Sequence, residues 1–241
     1  MKKLYVIFTL IVVGGASFSQ TQEQNVRLFL SESGGSFYTS QQLQGVSPSK
    51  LEDIPGKIYL NEGFQPGVVL SSDNQKGRID GRYNVMNDEM QVRTEKEEIL
   101  ALQMHKIKAV AIGAQIFIPV AYEDEKKQQG TGYFELLTEG PQLSLLKRYH
   151  SMRHKTEYHP AVATENDYEY IIESNLYYFR NGEKAYPLGR KISQILPLFD
   201  PLSPEMEIYA RQNNLKPKKD EDMVRLFEEF TRAMKEHSQS N

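Results

Sequence analysis

The sequence predicts an α+β fold: an antiparallel β-meander body over residues 57–188, with three short C-terminal helices packed on it over 189–236. Three observations carry that expectation. From Lys57 the chain runs in short β-favouring segments cut by turn residues, the pattern of a meander. Two tight-turn dipeptides, Gly113-Ala114 and Asn181-Gly182, lie between such segments, and residues that tolerate positive φ in a two-residue loop signal a hairpin. After Leu188 the apolar period changes from about 2 to about 3.6 residues, that of an amphipathic helix.

Ahead of the body, Lys2 and Lys3 precede an apolar run, Leu4 to Val13, followed by the small residues Gly14-Gly15-Ala16-Ser17 and then Phe18-Ser19. A charged start, an apolar stretch of about ten residues and a small-residue cleavage point make a signal peptide over 1–19. Ser17 and Ser19 suit the −3 and −1 positions, so cleavage falls between Ser19 and Gln20. A spanning helix needs about 20 apolar residues, twice this run. The expectation is therefore a chain exported to the periplasm or secreted, with no transmembrane anchor after signal removal. Residues 20–56 read as a polar N-terminal arm, with room for one strand and a helical turn near Ser47 to Leu51.

Within the body, strands are expected at Lys57 to Leu60, Gly67 to Ser71, Arg78 to Met86 and Met90 to Thr94, while Glu97 to Gln103 suits a strand or one helical turn. Ile107 to Val120 is a hairpin about Gly113-Ala114, where glycine first in the loop suits a type II′ turn. Tyr133 to Leu137 and Leu143 to Tyr149 pair through Glu139-Gly140-Pro141. Residues 150–167 form a polar break, and Tyr168 to Phe179 pairs with Lys184 to Leu188. In the last third, Ile192, Ile195, Leu196 and Phe199 share a helical face that Pro197 and Pro201 keep short. Ser203-Pro204-Glu205 opens a second helix with serine as its cap, ending at Asn213-Asn214. Asp220-Glu221-Asp222 opens a third, whose stripe of Met223, Leu226, Phe227, Phe230, Thr231 and Met234 is expected to dock on the body.

The chain has no cysteine, so disulfides, thiolate metal sites and thiol nucleophiles are excluded. Removing residues 1–19 takes two of the 29 basic side chains and none of the 32 acidic ones, moving the net charge from −3 to −5. Nucleic acid is not an expected partner of so acidic a chain. One cluster invites a chemical reading: His150 and His154 are four apart, which on a helix puts two imidazoles on one face, with His159 or Glu157 as a further ligand. No glutamate follows the first histidine to act as general base, and in a basic, polar connector after a strand the cluster reads as a solvated loop with incidental histidines. No Gly-x-Ser-x-Gly elbow or phosphate loop is present; Gly77 and Gly81 read as lying between strands, and Asp88-Glu89 as a turn with local hydrogen bonds.

Tyr59-Leu60-Asn61-Glu62-Gly63-Phe64, the Arg82-Tyr83-Asn84 and Asn87-Asp88 pair of motifs, and Gly132-Tyr133-Phe134-Glu135 resemble a group of exported bacterial proteins with no assigned activity. The resemblance implies export and a β-rich body, and no site residues. The function expected is a non-enzymatic binding or envelope-associated protein without cofactor, its partner an envelope protein or a small apolar ligand. Two alternatives stand beside it: a carrier holding a lipid or other apolar molecule in a curved sheet, and a metal-dependent hydrolase using His150, His154 and His159.

Overall fold

The computed structural model of the chain describes residues 43–46, 57–155, 168–180 and 182–239. The expected signal peptide over 1–19 with its cleavage point at Ser19 and Gln20, most of the 20–56 arm, and His159 lie outside the described residues. The architecture is α+β, as the patterning indicates. Among the described residues eleven strands form one sheet, and three helices follow it.

A first meander runs through β2 (Gln65–Ser71), β3 (Lys76–Asn84), β4 (Glu89–Arg93) and β5 (Ile99–Leu102). A short β1 (Leu43–Gly45), lying in the polar arm, pairs with β5 and ends the sheet on that side. A 3₁₀ turn at Met104–Lys106 carries the chain across to β6 (Ile107–Ile112), which pairs with β2 and not with β5. A second meander continues through β7 (Gln115–Glu123), β8 (Gln129–Thr138), β9 (Leu143–Lys155) and β10 (Tyr168–Arg180). Finally β11 (Ala185–Pro187) pairs with β10 and touches β7 in parallel at Ala185 and Tyr122. That contact, with the β7–β8 pairing, closes β7 to β11 into a small barrel with no free edge inside it. The helices are α1 (Ile192–Ile195), continued as a 3₁₀ turn to Phe199, then α2 (Ser203–Gln212) and α3 (Asp220–Gln239).

Local chemistry explains the turns. Ile112 pairs with Gln115 around Gly113-Ala114, and positive φ occurs at Gly113 and not at Ala114, the signature of type II′. Asn214 adopts φ 52° and ends α2, since an asparagine tolerates the left-handed region. Asp124 Oδ1 accepts the amides of Lys126 and Gln128 at 2.8 Å each, closing the β7–β8 turn.

Several expectations need correction. Lys57 to Leu60 forms a single bridge, Tyr59 to Asn84, because β3 has its main partners in β2 and β4. Gly77 and Gly81 lie inside β3, not between strands. The Ser203 hydroxyl donates to the Leu196 carbonyl at 2.7 Å and does not cap α2. The third helix is long, at 20 residues. The break expected at 150–167 begins late: residues 150–155 remain strand, because each pairs with a residue of β10.

Alternation distributes β8 and β9 between three cores. Phe134 and Leu146 point into the barrel with Val120, Tyr177 and Ala185. On the other face, Tyr133 joins the first meander's core of Val69, Val92, Val110 and Phe117. Further along that face Leu137, Leu143 and Leu145 receive the helices, with Phe199, Phe227 and Phe230 at the contact. Consecutive Tyr177, Tyr178 and Phe179 accordingly alternate, the outer two facing the barrel core and Tyr178 the helices.

Gly67 lies on β2 opposite Ile112 of β6. A Cβ there would meet the Ala111 carbonyl oxygen far inside van der Waals contact and lie 3.3 Å from Ile79 Cγ1. Since backbone must move to admit it, Gly67→Ala is expected to cost about 1–3 kcal/mol. A urea midpoint equal to that of the parent chain would show that the two strands separate freely here.

Candidate binding ribbon and the polar cluster at its root

The registered pairing of β8 with β9 ends at Glu135 and Lys147. Upstream of that point β8 stays with β7, as far as Gln129 paired to Glu123. Beyond it β9 stays with β10, from Arg148–Asn175 out to Lys155–Tyr168. The two strands therefore split, and β9–β10 continues as a two-stranded ribbon.

Asp88 fills the split. It sits in the β3–β4 turn at φ 53°, and its Oδ1 accepts the Tyr83 hydroxyl at 2.7 Å and the Tyr133 backbone N–H at 3.1 Å. The Arg148 guanidinium approaches Oδ2 at 3.8 Å and lies over the Tyr122 ring at 4.0 Å. Gly132 lies opposite on β8, where any Cβ would collide with the carboxylate. Burial pushes the Asp88 carboxyl above its ordinary range, while its hydrogen bonds to Tyr83 and Tyr133 and the charge of Arg148 pull it back. Burial, and then the Asp88 charge, holds the Tyr83 phenol well above its usual value. Tyr133 Oη and Arg148 Nε are buried without a hydrogen-bond partner among the described residues. This carboxylate, expected to serve its own turn, instead ties the first meander to the second.

A second polar seam divides the first meander's core from the helical one. Tyr149 donates to Glu135 Oε2 at 2.5 Å and accepts from Gln115 Nε2 at 3.2 Å. Lys147 Nζ lies 2.7 Å from Asp220 Oδ2, which anchors the first turn of α3 to β9. Burial, then the Glu135 charge, raises the Tyr149 phenol, and burial raises the Glu135 carboxyl.

The ribbon sorts its side chains by register, because paired residues of an antiparallel ladder share a face. One face carries His150 with Glu173, Met152 with Ile171, and His154 with Glu169. His150 Nε2 lies 3.7 Å from Glu173 Oε2. His150 and His154 are thus strand residues, and four residues of strand span about 13 Å, where one helical turn would have brought them together. Among the described residues no group of three or more His, Asp or Glu side chains is placed to hold a metal.

The other face carries Tyr149, Ser151, Arg153 and Lys155 with Ser174, Ile172, Tyr170 and Tyr168. Tyr149 and Ile172 pack on the first meander's core. Further out, the Arg153 guanidinium stacks on the Tyr168 ring at 3.3 Å, and Tyr168 meets Tyr170 edge-on at 6.3 Å. The Lys57 N–H donates to the Tyr170 carbonyl at 2.8 Å, bringing a third cation to this end.

Fold and site together define a class: a cysteine-free α+β protein in which a filled five-strand barrel extends into a projecting ribbon. No protein-family model, curated protein or solved structure matches the chain. No helix among the described residues is long and apolar enough to cross a membrane.

The site residues missed by sequence reading are Asp88, Gly132 and Arg148. They come from three separate elements with no fixed spacing. The one available signal was the glycine within the β8 run, since glycine inside a strand marks a close approach.

Proposed function

We propose that the chain is exported and works as a non-enzymatic binding protein of the bacterial envelope, with the β9–β10 ribbon as its docking element. The observation that carries this reading is the ribbon itself. Six residues of β9, His150 to Lys155, continue past the barrel, and Met152 is 44% exposed at their centre. Two-stranded ribbons are marginal alone in water, so one that projects from a body suits contact with another surface. The charged start and apolar run at Lys2 to Val13, and the resemblance noted above, support export.

The barrel interior argues against the carrier alternative. Val120, Phe134, Leu146, Tyr177 and Ala185 are each at most 6% exposed and occupy the space a lipid would need. A photo-reactive residue in place of Met152, in the full chain expressed in its host, tests the proposal. The expected result is one discrete adduct in the envelope or secreted fraction, on a chain whose intact mass lacks residues 1–19. An uncleaved chain would remove the export reading. The same adduct from a probe at Ile208, an exposed apolar side chain on α2, would remove the ribbon.

A further inference from the structure

Charge on the ribbon is segregated in a way that its composition does not require. Its carboxylates, Glu169 and Glu173, both lie on the histidine face. Arg153 and Lys155 lie on the opposite face with Tyr168 and Tyr170, and no carboxylate pairs with either among the described residues. Both cations are exposed, as is Lys57 beside them. This is a concentrated positive face on a chain of net charge −3. Stacking on Tyr168 holds the Arg153 guanidinium in place while leaving its N–H groups to reach outward.

Resting on the ribbon as docking element, we propose that this face binds an extended acidic segment of a partner protein, with carboxylates at alternate residues. The spacing supplies the reason. Arg153 and Lys155 are two strand residues apart, about 6.6 Å, which is also the separation of alternate side chains in an extended peptide. A strand laid along β9 therefore presents every second side chain to a cation, and the tyrosines pack against its intervening backbone. An anionic bilayer fits less well. Its field acts on the whole molecule, which is acidic, whereas a peptide meets only the ribbon.

The test is fluorescence anisotropy of a labelled heptapeptide, glutamate alternating with threonine, titrated with the exported chain at low ionic strength, where exposed charges are least screened. Saturable binding is expected, lost with glutamine in place of glutamate and weakened at least about tenfold by Arg153→Glu with Lys155→Glu. Lys155→Glu alone, at the ribbon's exposed end, should weaken it in the same direction and guards against misfolding of the double variant. Reversal of Lys126 and Lys127 on the β7–β8 turn should leave binding unchanged.

The connecting residues 156–167 contain Glu157, Glu165 and Asp167. Neutralising these three should leave affinity equal or higher, and binding seen only after neutralisation would overturn the proposal. So would tighter binding to phosphatidylglycerol vesicles than to the peptide, or affinity indifferent to Arg153 and Lys155. In that last case a persisting Met152 adduct keeps the docking reading while the acidic occupant falls. Peptide binding without any adduct does the opposite.

Discussion

Phe227→Ala is expected to lower the unfolding free energy by about 3–5 kcal/mol, read as a fall in urea midpoint at constant slope. The Phe227 ring is 1% exposed, and it meets the Phe199 ring edge-on at 5.2 Å. Phe199 is itself fully buried and also contacts Phe230, with ring centroids 5.0 Å apart. Truncation removes the ring's transfer energy, opens a cavity among side chains held by three elements, and ends a favourable aromatic pair. The helical segment has little to fall back on. Most of a helix's stability in a protein comes from packing its apolar face, so α3 depends on the surface that Leu143 and Leu145 present from β9. A midpoint unmoved by Phe227→Ala would mean that the stripe does not sit against the body.

Arg148→Met should destabilise the chain by about 2–3 kcal/mol at neutral pH, and by less as the pH falls. Arg148 is the only cation within ion-pair reach of Asp88 among the described residues, and both side chains are about a fifth exposed. Methionine keeps much of the packing on Tyr122 and leaves the carboxylate buried without a counter-charge. The sign follows from the direction of the shift. Asp88 has a folded pKa above its unfolded value, so its contribution is fully present below the unfolded pKa, about 3.9, and is lost as pH rises through the folded one. Arg148 limits that loss by drawing the carboxyl down; without it the folded pKa climbs further and the loss at neutral pH grows.

Urea midpoints at about pH 7.5 and about pH 5 therefore should differ more for the variant than for the parent chain. Adding Asp88→Asn to Arg148→Met removes the charge and should restore part of the stability at the higher pH. A loss equal at both pH values, or no recovery in the double variant, would show that Arg148 acts through packing alone.

Elements whose signal is local were legible from sequence. The II′ hairpin at Gly113-Ala114 depends on one residue that accepts positive φ, and the end of α2 at Asn214 depends on another. The α3 stripe was visible because helical spacing alone decides which side chains share a face; Met223, Leu226, Phe227 and Phe230 are all buried in the helical core. Tyr133 to Leu137 and Leu143 to Tyr149 were legible as β-favouring runs on either side of a turn, and both lie inside β8 and β9.

The ribbon was not legible, for a physical reason. Past the barrel Met152 to Lys155 are exposed and residues 150–155 carry no apolar period, so only the thirteen-residue pairing with β10 makes them strand. The histidine spacing misled for the same reason: four residues are one turn of a helix but a long step along a strand. The sequence by itself determined the class of fold, its hairpin turns and the buried face of α3, because each follows from contacts between near neighbours in the chain. The tertiary structure alone decided that β6 returns to β2, that β11 closes the barrel on β7, and that Asp88 lies between β8 and β9. Each of these joins residues tens of positions apart, and such pairings depend on the packing of the whole chain, which leaves no periodic trace in any one segment.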